Sequence, residues 1–361
     1  MQLHIVGGFL GSGKTTAIIT AARHLIGAGK KVGVVTNDRG RHLVDTAFFQ
    51  NSQIHTVEIA QGCFRCSFDE LEEKLANLEA TEQPDVVFAE SVGSCSDLVA
   101  TVIQPLLDLE GGQTPPASFT VFTDSQLLLA YLQGIELPFS ESVVYIFEKQ
   151  IEEAGLLILN KADLLRADEI AEIIRRAAQA YPDKTIKLQN STQTADVAAW
   201  LELLDHHPNR LAQRPIAIDY RRYGAGERRL AWLDQELSLQ STEVGLEAVV
   251  EKIIRAIQQG LAERRATIGH LKFLITPPAG PSLKISLPTI LPAGWEREVR
   301  GLGGSEAKLL INARVELPAA ELRRLVEEAL RAAAGPGVKI ESLHDDAFHP
   351  GAPTPPHRLA G

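Results

Sequence analysis

Three cysteines in 361 residues are too few for a disulfide framework. No apolar run approaches the roughly 20 residues that a membrane-spanning helix needs. The first residues run straight into a strand pattern, with no charged-then-apolar leader. These absences predict no signal peptide, no membrane association and a reducing, cytoplasmic setting. Positive charge is also short: 36 Lys and Arg stand against 46 Asp and Glu, a formal net charge of −10. Non-specific nucleic-acid binding depends on many Lys/Arg–phosphate contacts, so nucleic acid is not an expected partner. There is no internal repeat and no long low-complexity tract. What remains, 45% hydrophobic and 23% charged residues, is ordinary for a globular protein with room for two domains.

The strongest local signal is Gly8-Phe9-Leu10-Gly11-Ser12-Gly13-Lys14-Thr15-Thr16, which fits a phosphate-binding loop. Glycines at 8, 11 and 13 let the backbone curl so that successive N–H groups face phosphate oxygens. Lys14 supplies a mobile cation for the β- and γ-phosphates, and the Thr15 hydroxyl can ligate Mg²⁺. Gln2 to Val6 reads as a strand, and Ile18, Ala21, Ala22 and Leu25 share one helical face. Strand, glycine loop and helix are the context that the motif requires, and the helix N-terminus adds its partial positive charge.

Further strands end in chemically loaded residues. Lys31 to Thr36 runs into Asn37-Asp38-Arg39-Gly40, where Asp38 reads equally as a carboxylate near Mg²⁺ and as a turn-forming residue. Pro84 to Ala89 runs into Glu90-Ser91-Val92-Gly93. A carboxylate there can polarise water near Mg²⁺, and a following glycine can offer its N–H to a γ-phosphate. Leu156 to Leu159 ends in Asn160-Lys161-Ala162-Asp163. Asp163 can accept from both N1–H and the exocyclic amine of guanine, an arrangement adenine does not present. Lys161 can lay its stem across the base, and Asn160 can tie this loop to the phosphate loop. A weaker signal at Asn190-Ser191 places a backbone N–H where it could meet the base carbonyl. The repeated strand–helix alternation over residues 1–205 predicts an α/β fold, a mainly parallel sheet with helices on both faces and ligand loops at the strand carboxyl ends.

With these motifs in order, and Gly62-Cys63-Phe64-Arg65-Cys66 between them, the sequence resembles the CobW-type P-loop GTPases, relatives of the GTPases that insert nickel into urease and hydrogenase. The resemblance covers the first 205 residues well and the rest loosely. It implies slow, Mg²⁺-dependent GTP hydrolysis coupled to delivery of a metal or metallocofactor, with GTP and GDP as ligands. It also implies a client metalloprotein and nucleotide-dependent homodimerisation. By resemblance Lys14, Thr15 and Thr16 serve the phosphates and Mg²⁺, Glu90 and Gly93 form the Glu-x-x-Gly motif, and Asn160, Lys161 and Asp163 read the base. Asp38 falls where the family usually carries glutamate, in a segment that here lacks the family's phenylalanine. The family's metal motif is Cys-x-Cys-Cys, and Arg65 stands in place of its middle cysteine. Two thiolates cannot close a tetrahedral zinc site. One reading brings Cys95 to Cys63 and Cys66 as a third soft ligand for Zn²⁺, Cu(I) or Co²⁺. The other makes Cys95 a small core residue and the pair a remnant. A redox dithiol is a further reading, although the thioredoxin context is missing.

Residues 206–228 are polar and turn-rich and are expected to form a linker. Residues 229–345 then predict a small α+β sandwich, which by resemblance is a regulatory or partner-binding domain. Residues 346–361 form a tail containing proline and histidine. His344, Asp345, Asp346, His349 and His357 read as part of this tail, either as a metal relay or, given their irregular spacing, as surface residues. Two alternatives to metal delivery are a GTP-switch chaperone without metal cargo, acting on a cobalamin-dependent or other client enzyme, and a small-molecule kinase. The guanine-reading tetrapeptide disfavours the kinase.

Overall fold

The computed structural model describes residues 1–37, 44–51, 54–59, 62–108, 116–206, 215–290 and 294–359. In chain order the elements begin with β1 (Gln2–Gly8), α1 (Lys14–Gly27), β2 (Val32–Asn37), α2 (Val44–Asn51), β3 (His55–Ile59), α3 (Phe68–Glu82) and β4 (Val86–Glu90). A π-helical turn (Val99–Ile103) runs into α4 (Gln104–Asp108), followed by β5 (Pro116–Asp124), α5 (Ser125–Leu132), α6 (Glu141–Glu152) and β6 (Leu156–Asn160). A 3₁₀ turn (Ala162–Leu164) then leads to α7 (Ala167–Ala180), β7 (Thr185–Gln189), α8 (Thr194–His206) and α9 (Tyr220–Arg229). The last elements are β8 (Leu230–Ser241), α10 (Leu246–Glu263), β9 (Thr267–Thr276), β10 (Leu283–Pro288), α11 (Glu296–Val299), β11 (Glu306–Glu316), α12 (Ala319–Ala333) and β12 (Val338–Phe348).

The chain divides into two compact units. One comprises Met1–Arg39, Gln53–Gly226 and Ala352–Gly361; the other comprises Gly40–Ser52 and Glu227–Gly351. This differs from the sequence expectation in four ways. Residues 40–52 leave the first domain for the second, and residues 352–361 return to the first. The expected linker ends in helix α9, and the second unit begins within that helix, at Glu227. His344, Asp345 and Asp346 are paired residues of β12 and not part of a tail.

The first unit holds a seven-stranded sheet of order β3-β2-β4-β1-β5-β6-β7, with every pairing parallel. Every residue of β2, β4 and β6 is buried, whichever way its side chain alternates. Such strands are covered on both faces, which is why they read as unbroken apolar runs. Strand order reverses about β1, between β4 and β5, and that reversal opens a crevice at the strand carboxyl ends. Trp200 anchors one part of the core, with ring centroids 5.2 Å from Phe122 and 5.8 Å from Phe88.

The second unit is built on an antiparallel sheet of order β10-β9-β11-β8-β12. Odd-numbered residues of β8, β9 and β11 (Leu233, Leu237, Phe273, Ile275, Leu309, Ile311) enter one apolar core. Val250, Ile253, Ile254 and Ile257 of α10 and Leu322, Leu325 and Val326 of α12 complete it. Period two meets period 3.6 there, as sheet-on-helix packing requires. Among the even-numbered residues, Asp234, His270, Asn312 and Arg314 are buried and polar. The Arg314 guanidinium lies 3.7 Å from the Trp232 ring centre and donates to Asp234 Oδ1 at 3.0 Å. Asn312 Nδ2 donates to the same oxygen at 2.8 Å.

Helix α2 belongs to this polar side and was not legible in the sequence. Eight residues are too few to hold a helix alone. Its first backbone N–H, at Val44, donates to Asn312 Oδ1 at 2.7 Å. Asp45 pairs with Lys272 and with Lys284, the latter at 2.8 Å. Burial opposes the charge on Asp45, but the two lysine cations prevail and hold its carboxyl well below the usual range.

Replacing Asp234 by alanine leaves the Arg314 cation buried beside an apolar methyl. The expected cost is about 3–5 kcal/mol, read from urea unfolding, with Asp234→Asn costing less.

Candidate functional site

The crevice at the end of β1 is built by close backbone approach. Gly8 has φ 134°, and a Cβ there would lie 2.1 Å from the Phe122 carbonyl oxygen. Gly11 and Gly13 also have positive φ, at 72° and 89°. A Cβ on Gly13 would lie 2.3 Å from Asn160 Nδ2, and one on Gly93 would lie 2.7 Å from Leu10 Cδ2. The glycines therefore do two things: they turn the phosphate loop, and they let the loops after β4 and β6 press against it.

Helix α1 starts at Lys14. The Lys14 ammonium donates to the carbonyls of Gly8 at 2.8 Å and Phe9 at 3.2 Å, so the cation is held within the loop. Thr15 Oγ1 donates to Glu90 Oε1 at 2.8 Å, and both residues are buried. This joins the loop to the end of β4 and sets a hydroxyl beside a carboxylate. Ser12 is buried and Thr16 exposed. Gly93 lies against Leu10, and its carbonyl accepts from Gln150 at 3.0 Å.

Asn160 connects three segments. Its Nδ2 donates to the Ser12 carbonyl at 2.7 Å, and its Oδ1 accepts from the Ser191 N–H at 3.1 Å and hydroxyl at 2.8 Å. The Ser191 N–H, read from sequence as a donor to a base carbonyl, is thus engaged by Asn160. Lys161 is left-handed, φ 60°, and its ammonium pairs with Asp124 at 2.8 Å. Asp163 follows on the 3₁₀ turn and is exposed. Asp38 lies outside the described residues.

The cysteine loop hangs from Asn37, whose role sequence reasoning missed. Asn37 Nδ2 donates to the carbonyls of Ile59 and Gly62 at 3.2 and 2.7 Å, and its Oδ1 accepts from the Phe64 N–H at 2.9 Å. Cys63 and Cys66 lie in one turn, sulfur to sulfur 3.3 Å. Bonding to Cys63 and partial burial push the Cys66 thiol up from its ordinary value. Arg65 is fully buried. Its Nη1 donates to the Ser96 carbonyl at 3.1 Å, its Nη2 is 3.9 Å from Cys63 Sγ, and its guanidinium is 4.6 Å from the Tyr223 ring centre. Beyond it Asp97, fully buried at φ 67°, accepts from Tyr220 at 2.6 Å and Arg358 at 2.9 Å.

A model of the family described as CobW/HypB/UreG, nucleotide-binding domain, matches residues 2–187, just over half of the chain. The chain belongs to this family. A zinc chaperone CobW from Sinorhizobium sp is 26% identical over 47% of this chain and 53% of its own length. The Pseudomonas aeruginosa zinc chaperone CobW is 27% identical over 50% of this chain and 54% of its own length. The chain thus spans about half the length of the curated relatives it matches. Among solved structures, HypB from Helicobacter pylori in complex with nickel is 17% identical, covering 60% of this chain and 92% of that one, with TM-score 0.43. Zn(II)-bound YjiA GTPase from E. coli is 15% identical, covering 91% and 98%, with TM-score 0.36.

The reading in which Cys63, Cys66 and Cys95 converge on Zn²⁺ or Co²⁺ is not what the structure shows. Among the described residues no three His, Cys, Asp or Glu side chains form a group able to hold a metal ion. Cys95 is buried in its own turn, its carbonyl accepting from Gln150 at 2.8 Å. The physical reason is the guanidinium, which reaches from Cys63 to the backbone at Ser96 and brings a permanent cation where a metal would need electron donors. The residues present do not fit a resident thiolate-held metal.

Glu153 is the acid behind this segment. It accepts from Leu98 N–H at 2.8 Å and from Ser96 Oγ at 3.3 Å. Burial, then the nearby Asp97 charge, push its carboxyl up to about 8. A folded carboxyl raised above its unfolded value binds more protons when folded, so stability falls as pH rises from about 4.5 towards 8. Unfolding free energies from urea titrations across that window are expected to drop by at most about 1.4 kcal/mol per pH unit from this group. Glu153→Gln should flatten that part of the slope.

Proposed function

We propose that the first unit binds GTP with Mg²⁺, hydrolyses it slowly and uses the nucleotide state to pass a metal or metallocofactor to a client metalloprotein. The observation that supports this reading is the Asn160 side chain, which fastens the Ser12 carbonyl of the phosphate loop to Ser191. The phosphate loop and the base-reading loop are thereby one construction. Backbone N–H groups from Gly11 to Thr16 would receive the triphosphate at the start of α1. Asp163 would read guanine, with Lys161 braced by Asp124 alongside.

The buried Thr15 hydroxyl and Glu90 carboxylate, 2.8 Å apart, are hard oxygen donors and fit Mg²⁺. When bound there, the ion neutralises charge on the phosphates. Lys14 stabilises the charge of the γ-phosphate in transfer, and Glu90, with Asp38, orients the attacking water. The water oxygen bonds to the γ-phosphorus as the bond to the β–γ bridging oxygen breaks, giving GDP and phosphate. Turnover without a partner is on the order of 10⁻⁴ to 10⁻² s⁻¹. A cytoplasmic setting and a nucleotide-dependent homodimer complete the reading; no described helix is long and apolar enough to cross a membrane.

A second reading is favoured by Arg65: a GTP switch that remodels a client, such as a cobalamin-dependent enzyme, without carrying metal on these cysteines. Metal content after anaerobic purification with the bound client separates the two.

Asp163→Ala should lose about 1.5–3 kcal/mol of GTP binding, roughly tenfold to a hundredfold in Kd, with ATP affinity unchanged. Calorimetry checks it, and equal affinity of the unaltered chain for GTP and ATP would overturn the reading. Lys14→Ala should abolish measurable turnover while leaving the circular dichroism spectrum unchanged.

A further inference from the structure

Four features of the cysteine loop converge. The Cys63 and Cys66 sulfurs are already 3.3 Å apart. The turn that holds them is fixed by the N–H groups of Cys66 and Ser67, which both donate to the Cys63 carbonyl at 2.7 and 2.9 Å. Gly62 admits that turn, since a Cβ there would lie 2.0 Å from Ser67 Oγ. Fourth, the pair is asymmetric: Cys63 is 1% exposed, whereas Cys66 reaches solvent in part. The Arg65 guanidinium, stacked on Tyr223, stands beside the inner sulfur.

We propose that Cys63 and Cys66 form a thiol–disulfide exchange pair, a redox-modification site whose co-reactant is a low-molecular-weight disulfide. Cys66, the sulfur within reach of solvent, attacks one sulfur of the small disulfide RSSR through the small fraction present as thiolate, so the first step is slow at neutral pH and speeds up as pH rises. A Cys66–S–S–R bond forms, the RSSR bond breaks, and the first RS⁻ leaves. Cys63 then attacks the Cys66 sulfur, closing the Cys63–Cys66 disulfide and expelling the second RS⁻. The two thiol protons pass to the two leaving thiolates. The protein pair gives up two electrons, and RSSR becomes two RSH.

The arrangement suits exchange better than metal capture. Exchange needs two sulfurs, one of them reachable. A closed thiolate site needs more ligands than this loop supplies. Arg65 contributes a fixed positive charge next to the inner sulfur, which steadies the negative charge that sulfur carries as it attacks. Cys95, engaged in its own turn, takes no part.

The test equilibrates the chelator-treated chain with mixtures of reduced and oxidised glutathione, followed by acid quenching, alkylation and intact-mass and peptide analysis. The expected result is joint loss of two alkylatable thiols and a mass lower by two hydrogens. Peptides containing Cys63 and Cys66 should be linked, with Cys95 still alkylated. Cys63→Ser should stop at a glutathione adduct on Cys66, and Arg65→Gln should make the same adduct accumulate transiently. Full alkylation of all three cysteines at every ratio would overturn the proposal. So would a persistent adduct on Cys66 in the unaltered chain, or a disulfide that includes Cys95.

Discussion

The end of β1 tolerates no side chain. At Gly8, Gly13 and Gly93 an added methyl group would fall within 2.1 to 2.7 Å of a carbonyl, an amide nitrogen and a leucine methyl respectively. This close approach lets the Thr15 hydroxyl reach Glu90 and the Asn160 amide reach Ser12. Three loops from three strands are held together by short hydrogen bonds that bulkier residues would pry apart. Pre-organisation of this kind removes the cost of assembling donors when a charged ligand arrives. The parallel sheet matters because it delivers every one of these loops to the same edge.

Next to this rigid centre lies a second kind of order, built from charged groups that are buried apart from Arg358. Arg65, Asp97, Glu153 and Arg358 are drawn together with Tyr220 and Tyr223 around the segment that follows β4. Buried polar groups need complete partnering, and such networks specify one arrangement more than they add stability. The returning chain end takes part: the Leu359 N–H donates to the Ala100 carbonyl at 3.0 Å, and Arg358 to Asp97. In the second unit Asp234, Asn312, Arg314 and Trp232 do the same, and there the network reaches helix α2 through Val44.

Much of the nucleotide crevice was legible in the residues themselves. Gly8 to Thr16, Glu90, Gly93 and Asn160 to Asp163 occupy the strand ends where their spacing placed them, and the tie from Asn160 to the phosphate loop follows from its chemistry. Long periodic segments such as α10 and α12 were equally clear, because an apolar stripe recurring every three or four residues is a property of the local chain. Arg65, Asp97 and Glu153 gave no such signal. Each is a single polar residue whose role depends on partners more than 30 residues away in the chain, as in Arg65 with Ser96 and Asp97 with Tyr220.

Hydrophobic period and glycine placement act locally, so the parallel α/β unit, the antiparallel α+β unit and the loop chemistry at the strand ends can all be read from the residues. The folded chain settled three other things: that residues 40–52 belong with the second sheet, that residues 352–361 return to the first unit, and that the Arg65 side chain is buried between Cys63 and the Ser96 carbonyl. Those outcomes rest on long-range pairing of charges and hydrogen-bonding groups, and no local pattern records which distant partner will satisfy a buried polar atom.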